Sequence, residues 1–109
     1  MALAFIAAEE ITVSTAVIGP SSVTTPVITN KVVMAVFQHK DGGIINHLTG
    51  IDNTEGVPGA GGGAGEIEEF IGNKWEYWGY NNINNVGMIK QTGEGDATIT
   101  VQYYGQGGG

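Results

Sequence analysis

His39 and His47 flank a Lys40-Asp41-Gly42-Gly43 turn. If the strands on either side of that turn pair, the two imidazoles face each other. With Asp41 they then form a two-His-one-carboxylate donor set, as in cupin-type metal enzymes. The spacing is not diagnostic, and no metal ligand is assigned from it. Glu66, Glu68 and Glu69 with Glu76 offer paired carboxylates of the kind glycosidases use, beside Trp75, Tyr77 and Trp78, which can stack on a sugar. Against this stands a plainer reading of solvated strand-edge acids and aromatics that pack in a core or anchor a subunit contact, and that reading is preferred. The run 59–65 lacks the Gly-Lys-Ser/Thr ending and the strand–loop–helix setting of a phosphate loop. Ser14, Ser21 and Ser22 sit in no nucleophile elbow, and the chain has no cysteine. Asp41, Asp52 and Asp96 follow no calcium-loop pattern. No catalytic, cofactor-binding or metal residue is therefore expected, and no cofactor.

The elements that would hold these side chains are strands. Ile99, Val101 and Tyr103 alternate with Thr98, Thr100 and Gln102, the period of a half-buried strand. Residues 11–15 alternate in the same way. Residues 31–38 are apolar on both faces, with Val32, Met34 and Val36 opposed to Val33, Ala35 and Phe37, as in a central strand or one covered by another subunit. Residues 23–29 carry Pro26 and suit an edge strand or extended connection. Asp41-Gly42-Gly43 reads as a hairpin turn returning through 44–48. Residues 66–71 and 73–80 read as a strand pair around Gly72. Residues 81–85 read as a polar turn, 86–90 as a short strand, and 92–96 as the final hairpin turn.

These elements predict an all-β fold: one antiparallel β-sandwich or jelly-roll-like domain of about eight short strands. Residues 1–10 form an apolar arm or first strand. Residues 11–105 form the domain, with a Gly-rich loop at 56–65, and 106–109 a flexible tail. The 56–65 stretch belongs to a longer loop, 49–65, and a loop of that length in a compact domain is usually functional, disordered or held by a partner.

The 109 residues suffice for one core, and 19 glycines with few prolines suit short strands and tight turns. The formal charge is −7, with four lysines and no arginine. Nucleic acid and anionic membrane surfaces are therefore poor partners, and a basic protein surface is a good one. The apolar stretch 1–8 has no cationic leader and is too short to span a bilayer.

Several segments together resemble a known family. They are Ile11-Thr-Val-Ser14 followed by Ile18-Gly19, the hydrophobic strand ending in Lys40-Asp41-Gly42, and Val86-Gly-Met-Ile-Lys90 leading through Gly95 into Asp96–Tyr104. The chain is similar over most of its length from Ile11 to small β-sandwich virion proteins of tailed bacteriophages. The missing arginines, the 56–65 insertion and the Trp75–Trp78 cluster set it apart. The resemblance implies a non-enzymatic capsid decoration (cement) protein on the virion surface, present in the host cytoplasm during assembly. Its implied partner is the major capsid protein. A homo-oligomer, a trimer at a threefold position, is the expected assembly. The expected contact residues are Leu3, Phe5 and Ile6 in an arm, Val57 and Pro58 in the docking loop, and Trp75, Tyr77 and Trp78 as anchors. The competing reading is a carbohydrate-binding or adaptor β-module of a tail or head fibre.

Overall fold

The structure, a computed structural model, describes residues 3–20, 31–48 and 67–106. Among these residues seven strands and one short helix follow in the order β1 Leu3–Val13, β2 Val32–Asp41, β3 Ile45–Leu48, β4 Ile67–Glu69, β5 Lys74–Trp78, α1 Tyr80–Asn84, β6 Gly87–Lys90 and β7 Ala97–Gln106. They form two antiparallel sheets, one of four strands in the order β1-β7-β2-β5 and one of three in the order β4-β3-β6. The all-β sandwich expected from the sequence is the observed architecture. The core is built from Ile11, Val13, Phe37, Ile99, Val101 and Tyr103 of the larger sheet against Ile45 and Met88 of the smaller, joined by Ile83 of α1. Among the described residues, no helix is long and apolar enough to cross a membrane.

β7 keeps the alternation its sequence announces. Ala97, Ile99, Val101, Tyr103 and Gly105 are buried, while Thr98, Thr100, Gln102, Tyr104 and Gln106 face outward. Residues 3–10, the expected arm or first strand, belong to β1, which pairs with β7 from Leu3↔Gln106 to Val13↔Ala97. The expected tail begins one residue too early, since Gln106 still pairs. Residues 107–109 lie outside the described residues, as do 23–29, the 56–65 loop, Val57 and Pro58.

Four expectations about turns fail, and three of them fail for one reason. The turns after β2, β4 and β6 were expected to be hairpins. Instead β3 pairs with β4 and β6, while β5 and β7 flank β2, so each turn carries the chain from one sheet to the other. β2 has β7 on one edge and β5 on the other, which leaves no edge for β3. β7 is enclosed by β1 and β2, which leaves none for β6. Each crossing turn holds a glycine at positive φ: Gly42 (100°), Gly72 (92°) and Gly93 (88°). The fourth failure is the polar segment 81–85, which lies mostly within α1 and places Ile83 in the core.

β2 also departs from its simple alternation. The register slips at Val33 opposite Tyr104 and Gly105, so Val32, Ala35 and Phe37 are all buried. A matching slip at Ile6 occurs in β1, opposite Tyr103 and Tyr104. Such bulges twist the strand and shift its side chains from one face to the other. They flank β7 at Gly105, where a Cβ would fall 2.6 Å from Ile6 Cδ1 and 2.7 Å from the Lys31 carbonyl oxygen. Glycine there lets both bulged neighbours close on β7.

Candidate functional site

The chemistry-bearing side chains gather in two places, on opposite faces of the four-stranded sheet. Between the sheets lies a buried polar cluster. His47 points inward from β3, and Glu69 of β4 stands beside it, facing the same way across the register pair Ile45↔Glu69. His47 Nε2–H donates to Glu69 Oε2 at 2.7 Å, and Nδ1 accepts the Tyr77 hydroxyl at 2.5 Å. The second Glu69 oxygen accepts the Asn73 side-chain amide at 3.0 Å. Burial drives the His47 pKa down, against the opposing hydrogen bond and charge of Glu69. The ring is therefore neutral near pH 7 and carries its proton on Nε2. Burial, with the Glu69 charge, drives the Tyr77 hydroxyl pKa up, so it remains a donor.

Aromatic rings enclose this chain of bonds. The His47 ring lies parallel to Trp75 at 4.7 Å, and Trp75 is also stacked on Phe37 at 5.6 Å. Tyr77 meets both Phe37 and His47 edge-on. Such ring pairs add about 0.5–1.5 kcal/mol each beyond the area they bury. A Glu–His–Tyr series has the form of a proton relay. Here both imidazole nitrogens are occupied by the protein, and His47 is 1% exposed, so the arrangement ties the two sheets together. His39 is also buried, with Nε2–H donating to the Gly43 carbonyl at 2.6 Å. Asp41 is exposed and accepts the Gly42 amide. Among the described residues, no group of three histidine or acidic side chains is placed to hold a metal ion. A cleft of about 380 Å³ is lined by Thr15 and residues 90–94. Its charged groups are engaged, Lys90 with Asp96 and Glu94 with the Ile44 amide.

The second place is the outward face of the four-stranded sheet. The register pairs Phe5↔Tyr104, Tyr104↔Met34 and Met34↔Trp78 set these four side chains in one row across all four strands. Phe5 and Trp78 are 58% and 50% exposed, and Phe5 meets the Tyr104 ring edge-on. The next row is Ala8, Gln102, Val36 and Glu76, and the third is Glu10, Thr100, Gln38 and Lys74. Polarity thus rises along the strands. Glu76 accepts the Trp78 indole N–H, Gln102 accepts the Tyr104 hydroxyl, and Glu10 pairs with Lys40. Three more large apolar side chains are exposed around the β4–β5 corner, Ile67 on β4 and Phe70 and Ile71 in the turn that follows it.

The three expected anchors are therefore divided. Trp75 and Tyr77 turn into the sandwich, half-buried against the core, while Trp78 points out. They form no common sugar platform, because alternate residues of a strand face opposite ways. Leu3 is half-buried, and Phe5 and Ile6 are exposed on β1. Sequence reasoning missed Met34 and Tyr104, whose place in the row depends on register, and the pairing of His47 with Glu69. It also missed Phe70 and Ile71, although their place beside a glycine turn was a usable signal. No protein-family profile, curated protein or solved structure matches this chain.

Proposed function

We propose that this chain is a non-enzymatic virion structural protein, a capsid decoration (cement) protein that binds the outer surface of the major capsid protein shell and stabilises it. Its place is the virion surface, reached from the host cytoplasm during assembly. The observation that carries the reading is the exposure of three large apolar side chains, Ile67, Phe70 and Ile71, within five residues at the β4–β5 corner. Large exposed apolar side chains gathered in one part of a folded domain point to a protein contact surface. The corner lies at the Lys74 end of β5, and Trp78 lies at the other end, so this contact is separate from the outward-face row. The net charge of −7 suits an apolar shell surface rimmed by cations. The sequence resemblance to phage β-sandwich virion proteins points the same way. The buried polar groups supply cross-sheet bonds in this reading, and no substrate site is needed.

The test is co-sedimentation of the purified chain with DNA-filled shells. The wild type pellets with the shells and raises the temperature at which they release DNA. A Phe70→Asp/Ile71→Asp variant keeps its own melting temperature and binds the shell at least about tenfold more weakly, since each fully buried side chain of this size contributes about 1.5–3 kcal/mol. Wild-type protein that stays in the supernatant sinks the proposal, and a variant that pellets like wild type removes the corner from it.

A further inference from the structure

We infer that the outward face of the four-stranded sheet is the interface between two copies of this chain. The copies stack face to face about a two-fold axis that runs parallel to the strands, between β7 and β2. A two-fold interface must be self-complementary, so that residue i meets j and j meets i. An axis in that position sets β1 against β5 of the second copy and β7 against β2. Each row of the face then meets itself reversed.

In the first row Phe5 comes over Trp78 of the second copy and Tyr104 over Met34, two aromatic or thioether contacts made twice. In the third row Glu10 comes over Lys74 and Thr100 over Gln38, which makes two symmetry-related ion pairs. Lys74 has no ion-pair acceptor among the described residues. Glu10 and its partner Lys40 are more than half exposed, so the carboxylate can take a second cation. In the middle row the polar groups enter already bonded, Gln102 to Tyr104 and Glu76 to Trp78, and Glu76 sits on the edge strand β5, at the solvent rim.

The same face offered to a copy rotated end to end would set the apolar row against Glu10 and Lys74, so the charges also select the orientation. Sheets stacked in this way keep their strands within about 30° of each other, which preserves the opposition of rows. Three strands of about ten residues and the five-residue β5, about 4.8 Å apart and rising about 3.4 Å per residue, give a face of about 570 Å². That approaches the roughly 800 Å² per partner of a stable complex. The inference needs no shell and stands apart from the decoration reading.

Analytical ultracentrifugation of the full chain tests it, with thermal melting to show that each variant folds. The wild type sediments as a dimer at tens of micromolar. Lys74→Glu alone and Glu10→Lys alone each set two like-charge pairs in the dimer and weaken it by about tenfold or more. An equimolar mixture of the two variants restores the dimer, because Glu10 of one meets Lys74 of the other and the second pair is simply exchanged. Trp78→Ser weakens the dimer in both settings. A wild type that is monomeric or trimeric overturns the inference. So does a mixture that associates no better than its two components.

Discussion

Replacing His47 with Phe is expected to cost about 3 kcal/mol of folding stability, a fall in melting temperature of roughly 15 °C for a domain of this size. Phenylalanine keeps a ring beside Trp75 and loses both hydrogen bonds. The Tyr77 hydroxyl then lacks its acceptor, and the Glu69 carboxylate, 9% exposed, keeps only Asn73. Breaking the bond from one side leaves a buried carboxylate short of a donor, whereas removing both partners removes that penalty. The His47→Phe/Glu69→Leu double variant is therefore expected to be more stable than His47→Phe alone. Urea titration of both checks this, and a double variant weaker than the single would refute the pairing argument.

The same residue sets an acid dependence with a definite sign. Its folded pKa lies below the unfolded value near 6.5. Between the two values the unfolded chain binds the extra proton, so stability rises with pH there. His47 thus contributes stability that is complete above pH 6.5 and is lost as the pH falls toward the folded pKa. In the wild type, urea midpoints should decline from pH 7 to pH 5, and in His47→Phe that decline should flatten. Identical slopes in the two proteins would show that His47 carries none of it.

Gly42→Ala is expected to lose 3 kcal/mol or more (about the cost of strain and overpacking together). The φ of 100° is one that alanine rarely adopts, and the added Cβ would lie 2.1 Å from the Asp96 carbonyl oxygen and 2.6 Å from Ala97 Cα. Those atoms are backbone of the turn entering β7, so neither side can yield cheaply. Gly72 is a control. It has a similar φ of 92°, and its added Cβ meets nothing within 4 Å. Gly72→Ala should therefore cost only the conformational strain, about 1–2 kcal/mol. If thermal melts rank the two variants equally, the close approach of Gly42 to Asp96 is not what constrains the first turn.

The strands were legible in the sequence because burial on one face imposes a period. β7 and the start of β2 could be read from their side chains alone. The partners of the strands were not legible. Asp41-Gly42-Gly43 encodes a reversal, but which sheet receives the next strand depends on edges already occupied by β5 and β7, segments 30 or more residues away in the chain. The bulge at Val33 altered the facing of β2 for a similarly remote reason, the crowding at Gly105. At the candidate sites, the division of Trp75 and Tyr77 from Trp78 lay open to the same period-two rule that identified β7. The His47–Glu69 bond joins residues from different strands with no motif linking them. The Phe5–Tyr104–Met34–Trp78 row exists only once four strands are in register.

The position of β7 bears on how the molecule is made. It is the last described strand in chain order, yet it lies between β1 and β2 and joins them. Until Gln106 has left the ribosome, the first strand has no sheet partner among the described strands and the inner edge of β2 stays open. None of the three turns that follow β2, β4 and β6 closes a local hairpin that could form early. Folding must therefore wait for synthesis of nearly the whole described chain, and its rate is limited by long loop closures. A chain released short of β7 lacks the strand that joins β1 to β2 and cannot complete the four-stranded sheet.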